Sequence, residues 1–600
     1  MADSIEESTI SSRDDNSGVK RFVAEKKDPT QEPNQNGPTV GDEEYITGLK
    51  RLVVVGACTM ATFLLMLDIS IVATAIPKIA DQFHSLPDIG WYGSSYLLAF
   101  CAVQPLSGRI YNQFPTKLTY MTFIAIFELG SLLSGVADSS DMLIIGRAVA
   151  GIGASGLMNG GLTIIRFSVP MEKTASNLLD PTQSGLVNIE NLPAAQLGIL
   201  LGPLIGGALT EYATWRWCFY INLPLGALVV LALFFIRIPD HRVSSEIKVG
   251  LLPILHSFDL VGFAIFSGTA IMLLIAVEWG GNKYPWDSAT IIGLFCGSAS
   301  ALVFFLFWEH RKGMEALLPL SILKQRIVWT SCLHMFFICA NMMTTSYYMA
   351  VYFQAVRDKS PTMSGVYLLP SVLSQMAFGI IAGILVTRLG YYLPWAIASG
   401  ALATIGTGLL TTLSPTTSAV RWIFFQIIAG AGRGMGLQMP VIAVQTSLPP
   451  SSISLGVTAV IFAQQLGPAL FLSLAQTILS STLESSLPAA LTKLSDTANI
   501  PTSPMYIENI IDAGATGFRN VVSGKEVGAV VSAYCEAVDR IFYMGTGAAG
   551  CAFLVALGMG WRSVKIGREK EDMRGGGGED GGDVEGGDAG LVKETRKAEV

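Results

Sequence analysis

Apolar residues fall along this chain in blocks of about twenty, divided by polar turns, from residue 52 to residue 561. About 20 apolar residues is the length a helix needs to cross the hydrocarbon core of a bilayer. Blocks of that kind lie at 52–76, 90–110, 118–138, 142–165, 193–211, 217–237, 259–279, 289–308, 327–353, 364–386, 393–413, 420–444, 454–480 and 541–561. Backbone groups left unpaired in lipid are too costly for open sheets, so each block predicts a helix. The pattern therefore predicts an all-α integral membrane protein with fourteen transmembrane helices, numbered here as spans 1 to 14.

The polar stretches complete the plan. Residues 1–48 are rich in Ser, Asp, Glu, Lys and Asn and cannot bury a core, so a disordered tail is expected. No basic start with a short apolar run and a small-residue cleavage site precedes span 1, which argues against a cleaved signal peptide. Lys and Arg are about twice as frequent in the short loops that carry Arg109, Lys117, Arg166, Lys173, Arg311 and Lys312 as in the alternate loops. That bias places both termini in the cytoplasm. The long segment 481–540 is then an outer loop, with a short helix expected over Met505 to Arg519. The Gly- and acid-rich residues 563–600 read as an unstructured tail.

Composition agrees with the pattern and removes alternatives. Only 14% of the 600 residues are charged and the mean hydropathy is +0.49; soluble domains carry roughly 25% charge. A net charge of −7 disfavours a nucleic-acid partner. Seven of the eight cysteines sit in apolar stretches, Cys535 being the exception, and read as small core residues and not as a disulfide framework. The five histidines have no metal-ligand spacing, and only His334 lies within a span, where a core hydrogen bond is expected. No phosphate-cradling G-x-x-x-x-G-K-[ST] is present, which disfavours an ATP-driven pump. No nucleophile or metal cluster suggests an enzyme.

The chain also repeats itself. Ala150-Gly151-Ile152-Gly153-Ala154-Ser155-Gly156 in span 4 echoes Ala429-Gly430-Ala431-Gly432-Arg433-Gly434 in span 12, about 279 residues later. Gly108-Arg109-Ile110 echoes Gly383-Ile384-Leu385 at about 275. Two related six-helix halves with spans 7 and 8 inserted between them fit this offset. Parallel halves around a midplane site describe one large class of secondary transporters.

Span 5 carries Gly198-x-x-x-Gly202-Pro203-x-x-Gly206-Gly207. Glycines four apart form a flat stripe that lets another helix approach closely, and Pro203 removes a backbone donor and bends the helix. This pattern resembles the antiporter signature of the major facilitator superfamily. Trp215-Arg216-Trp217-Cys218-Phe219-Tyr220-Ile221-Asn222-Leu223-Pro224-Leu225-Gly226 is similar to the opening of helix 6 in its fourteen-spanner drug:proton antiporter branch. Leu67-Asp68-Ile69-Ser70-Ile71-Val72-Ala73-Thr74-Ala75-Ile76-Pro77 and Ile145-Gly146-Arg147-Ala148-Val149-Ala150-Gly151-Ile152-Gly153 resemble that branch's helix 1 and helix 4 signatures. Fungal toxin and multidrug efflux pumps are the nearest look-alikes. The resemblance implies the major facilitator fold, proton coupling with no cofactor, export of a small organic molecule, and a monomer.

Arg147 is the most informative residue. A charge mid-span costs roughly 2.5–3.5 kcal/mol, so it is expected to face the bundle interior and be paired; the resemblance gives it a role in proton coupling. Asp68, in the last third of span 1, takes part in binding or gating by the same resemblance, or else is a hydrated residue near the interface. Glu128 lies mid-span 3. A carboxylate without a partner there holds its proton, as a proton carrier must, or it is the partner of Arg147. Gln426 occupies the repeat position of Arg147, and with Arg433, Gln464 and Gln465 it could line a cavity or make packing bonds. Tyr347, Tyr348, Phe353 and Trp422 suit a large apolar ligand or the core. Asp259 and Glu278 read as solvated end charges of span 7.

Two stretches depart from the branch. After span 2 the loop reads Gly108-Arg109-Ile110-Tyr111-Asn112-Gln113-Phe114-Pro115-Thr116-Lys117, with Asn112 where the branch has an acid, so a charge relay does not carry over. Residues 171–195 are polar and about ten residues too long, as in a genuine loop or a gene-model error. The expected organisation is a tail (1–48), a first six-helix bundle (49–238), a linker with two inserted helices (239–326), a second bundle (327–562) and a tail (563–600). The expected function is proton-coupled export of an amphipathic toxin, secondary metabolite or drug by alternating access, in the plasma membrane or, as a second choice, the vacuolar one. The alternatives are a vacuolar basic amino-acid or siderophore carrier and a non-transporting membrane sensor.

Overall fold

The computed structural model describes residues 48–168, 186–236, 259–281, 284–313, 320–498, 504–522 and 524–563. Both predicted tails, except Gly48 and Ser563, and most of the anomalous stretch 171–195 lie outside them. All described residues belong to one compact unit, Tyr45–Val600. They are helical throughout, with two isolated β-bridges and no strand among them.

The helices are α1 (Gly48–Phe83), α2 (Ile89–Gln113), α3 (Thr116–Gly135), α4 (Ser140–Ser168), α5 (Leu186–Tyr212) and α6 (Asn222–Phe234, entered through the turn Trp217–Tyr220). Then come α7 (Leu260–Trp279), α8 (Ala289–Lys312), α9 (Arg326–Val351), α10 (Pro361–Leu389) and α11 (Leu393–Leu410). The last are α12 (Ala419–Gly436, continued by Met439–Ser447), α13 (Pro450–Ala498) and α14 (Lys525–Ala556). Eleven of these are long and apolar enough to cross a membrane. The apolar part of α5 is the shorter stretch Leu197–Tyr212, and α2 and α14 fall outside the eleven. Their polarity has a structural reason: Gln104 and Ser107 of α2 bond Asn159 of α4, and α14 carries Glu536, Asp539 and Arg540 in its first half.

Boundaries move where charge misled the pattern. Helix α1 continues through Pro77 to Phe83, so Asp68 stands in its middle and not near an end. Much of the expected outer loop is helix: α13 runs on to Ala498, two short helices follow at Pro504–Asp512 and Gly514–Val521, and α14 starts at Lys525. Asp259 is not a solvated end charge. It is buried, caps α7 by accepting from the Gly262 amide, and accepts from the Trp308 indole at 2.7 Å. All eight cysteines are free; Cys296 and Cys551 are exposed on helix surfaces and not in the core. His334 makes its expected core bond, to the Ala552 carbonyl at 3.0 Å.

Helix α1 packs along α5, α2 and α3 along α4, and α3 also meets α6. Later in the chain α9 packs on α13 and α14, α10 and α11 on α12, and α11 on α14. The repeat is physical. An added Cβ on Gly130, Gly151 or Gly153 would strike the backbone of Ala150, Tyr96 or Phe127, and one on Gly406, Gly430 or Gly432 would strike that of Ala429, Ser371 or Ala403. These contacts correspond one for one at the sequence offset. Two seams join the sets, α2 with α13 and α5 with α10. The hairpin α7–α8 sits over the first seam, where Thr477 of α13 donates to the Val277 carbonyl at 2.9 Å.

Candidate functional site

The glycines of the α5 signature each meet backbone. Gly198 lies against the Phe63 carbonyl (2.7 Å from an added Cβ), Gly202 against Ser70 and Gly206 against the Ile71 carbonyl, all on α1. Gly207 turns the other way, to Pro361 and Thr362 at the start of α10, and Gly365 of α10 meets the Pro203 carbonyl. The stripe thus sets α5 between α1 and α10, where small residues let helix axes approach.

That close packing brings α1 to α4. Asp68 and Arg147 are both buried and form an ion pair at 2.6 Å. The Arg147 Nε also donates to the Tyr92 carbonyl at 3.1 Å, and its guanidinium lies 4.4 Å from the Tyr96 ring and 5.7 Å from that of Phe219. The second Asp68 oxygen accepts from Asn222 of α6 at 3.0 Å, and the same Asn222 amide donates to Ser131 of α3 at 3.1 Å. A buried pair is tolerated only when its remaining polar positions are filled; here α2, through Tyr92, and α6, through Asn222, supply partners.

Glu128 is not the partner of Arg147. It stands one turn before Ser131 on α3, pressed against Gly226, itself one turn after Asn222 on α6. Both of its carboxylate oxygens are buried and have no hydrogen-bond partner. Asp68, Asn222 and Ser131 are thus joined by hydrogen bonds, and Glu128 stands one turn further along the α3–α6 contact as the unbonded end of this file.

A cavity lies beside the α1–α5 contact. Its walls are Ser70, Ala73, Ile199 and Pro203 on one side and Met342, Met343, Ser346, Tyr347, Leu368, Ser371, Val372, Gln375 and Gln426 on the other. Gln426 is thus a wall residue, and it donates to the Tyr367 carbonyl at 3.0 Å. Arg433 stands behind the wall and donates to Ser371 at 2.6 Å. Gln464 is half-buried on α13 and is not among the lining residues. The aromatic residues divide: Tyr347 lines the cavity, while Phe353, Tyr367 and Trp422 pack on one another with centroids 4.9–5.1 Å apart, as core.

Where α1 ends, contacts bridge the two sets of helices. Gln476 donates to the Leu86 carbonyl at 2.6 Å, Gln354 to that of Thr74 at 3.1 Å, and the Thr362 amide to Glu211 at 3.1 Å. Asp81 accepts from Thr516.

Residues 58–472 match the family model described as Major Facilitator Superfamily. The chain belongs to the major facilitator superfamily. Among its curated relatives is the "MFS-type transporter pigP" of Monascus ruber, 47% identical over 538 residues and 90% of each chain. Another is the "Efflux pump mlcE" of Penicillium citrinum, 46% identical over 557 residues, 91% of this chain and 96% of that one. The fold also matches a bacterial homologue of the human lysosomal transporter Spinster, solved in an inward-facing, unoccupied conformation. That likeness has a TM-score of 0.55 at 14% identity and covers 86% of this chain and 98% of that one.

Within this major facilitator protein, the residues that sequence reasoning missed are the neutral members of the network. Ser131 and Tyr96 carry no signal by type. Ser131 was findable only as the residue one turn from Glu128. Asn222 was visible inside the quoted helix 6 pattern, without a role. Ser371 and Gln375 have no sequence mark, because serine and glutamine are common in packed membrane helices.

Proposed function

We propose that this chain is a proton-coupled exporter of amphipathic organic molecules that works by alternating access. The observation that carries the reading is the cavity between α1 and α5 on one side and α9, α10 and α12 on the other, with the buried Arg147–Asp68 pair on α4 and the same α1 that lines it. The full-length likeness to a fungal protein named as an efflux pump supports export. The two halves, 49–238 and 327–562, rock about the glycine seams, with 239–326 as a linker that carries the inserted helices. Both termini lie in the cytoplasm in this reading, which makes the bridged face the outer one. The plasma membrane is the site of action, the transporter acts as a monomer, and no cofactor is needed beyond the proton gradient.

In this mechanism a proton entering the file between α3 and α6 rests on Glu128 or Asp68. Protonating Asp68 removes the charge that holds Arg147, which frees α1 to shift on α4 and reopen the outer face. Substrate leaves as the proton arrives, and the pair re-forms when the proton is lost inward.

The test is accumulation of fluorescent dyes and mycotoxins in pump-deficient yeast producing the chain, with and without a protonophore. Lower accumulation that the protonophore abolishes is expected. Unchanged accumulation, with the protein present at the cell surface, would overturn the reading.

A further inference from the structure

The second half of the molecule holds a cation with nothing to balance it. Arg433 of α12 is 1% exposed. Its Nε donates to the Ala429 carbonyl at 3.1 Å and one terminal nitrogen to Ser371 at 2.6 Å. The other terminal nitrogen has no partner. No carboxylate among the described residues pairs with this guanidinium. A buried charge without a counter-charge is among the most costly groups a membrane interior can hold, and such residues mark ligand or ion paths.

The surroundings point the same way. Ser371, which takes the Arg433 bond, is a wall residue of the cavity. One turn along α10, Gln375 also lines the cavity, and its amide nitrogen is a buried donor with no partner. Unpartnered donors on Gln375, in the wall, and on Arg433, directly behind it, therefore flank Ser371. The rest of the lining is mainly apolar, with isoleucine, proline, methionine, leucine and valine, and its other polar residues, Ser70, Thr345, Ser346, Tyr347 and Gln426, are all neutral. A ligand that satisfies both parts has an apolar body and one anionic oxygen group.

We infer that the Arg433–Ser371–Gln375 wall is the anion subsite of the cavity, and that the preferred substrates are amphipathic organic acids bound through a carboxylate. This rests on the export reading for its role in transport, though the binding itself does not. A carboxylate would complete the guanidinium with a charge-assisted bond, of a kind that is shorter and stronger than neutral ones. It would enter from the cytoplasm and leave when the half that holds Arg433 turns outward.

Two measurements test the subsite and separate it from the export reading. The first is thermal stabilisation of the purified full-length protein by a panel of aromatic and aliphatic carboxylic acids, each against its own methyl ester, with carboxyfluorescein and its ester among them. The acids are expected to bind at least roughly tenfold tighter than the esters. That margin should vanish in Arg433→Gln and be partly kept in Arg433→Lys, with the esters unaffected. If no acid outbinds its ester, or if Arg433→Gln keeps the margin, the subsite is overturned. So it is if Arg433→Lys and Arg433→Gln lose acids and esters alike, which would make Arg433 a purely structural residue. The second is export of carboxyfluorescein from yeast. Acid-selective binding without export by the wild type would sink the exporter and leave the subsite standing. Export with no preference for acids would do the reverse.

Discussion

The two halves of the protein share one scaffold and differ in charge. In the first, Asp68 of α1 meets Arg147 of α4, and Asn222 links Asp68 to Ser131 of α3. At the matching places in the second half stand Asn341, Gln426 and Thr407. Asn341 donates to Thr407 at 2.9 Å, and Gln426 donates to the Tyr367 carbonyl as Arg147 does to its counterpart Tyr92. The bond from the α4 or α12 side chain to the tyrosine carbonyl is kept, while Asp68 and Arg147 give way to the neutral Asn341 and Gln426. Glu128 has Thr404 as its counterpart, bonded within its own helix to the Gly400 carbonyl. The lesson is that the hydrogen-bonded node holds each bundle together, and the charge in the first half is an addition that packing does not require. Only an ionisable node can change with a proton.

The largest break in that comparison is Arg147→Ala. It strands Asp68 in an apolar interior, at a cost of about 3–5 kcal/mol for a buried pair that loses one partner. Export should be lost and the melting temperature in detergent should fall. The double change Asp68→Asn with Arg147→Gln copies the second-half node into the first. It should regain most of the stability yet remain unable to pump with a pH gradient. Proton-driven export by that double variant would mean the charge contrast is not what couples transport.

A smaller effect is expected at the seam. Gly202→Ala sets a methyl group into Ser70, and overpacking of this kind costs about 1–3 kcal/mol. Gly383→Ala on α10 meets nothing within 4 Å and should be neutral or stabilising by about 0.5–1 kcal/mol. Thermal unfolding of the two, side by side, would show whether the α1–α5 stripe is a packing device. Glu128→Gln should come next, lowering protonophore-sensitive export several-fold with the same amount of protein in the membrane. Thr404→Val, its mirror, should leave export unchanged; equal effects of the two would remove Glu128 from the proton file. The mildest is Gln426→Leu, which gives up one hydrogen bond worth about 1 kcal/mol and should alter transport by a few-fold at most in the same dye assay.

Legibility in the sequence followed the range of the interaction. The spans were readable because twenty apolar residues and their flanking turns are local facts. The repeat was readable because glycines at close helix crossings cannot be exchanged, so Gly151 and Gly153 left the same imprint as Gly430 and Gly432. Boundaries failed where a helix carries charge into a packed or aqueous region. The apolar block stopped at residue 76, whereas α1 carries Lys78 and Asp81 on to Phe83, and the polar residues after 480 looked like a loop. Asp259 was misread because a capping carboxylate and a solvated one are the same letter; the difference lies in Trp308, 49 residues away.

The sequence by itself determined that this protein is a bundle of membrane helices, arranged twice over, with one costly arginine in the first half. Those properties follow from hydropathy and spacing, which act within one helix. Only the tertiary structure decided that Arg147 chose Asp68 over Glu128, that Glu128 was left without a partner, and that Arg433 stands behind a cavity wall with no counter-charge among the described residues. Partners on different helices are set by the rotation and crossing of those helices, and that depends on how every glycine and methyl at the seams fits together.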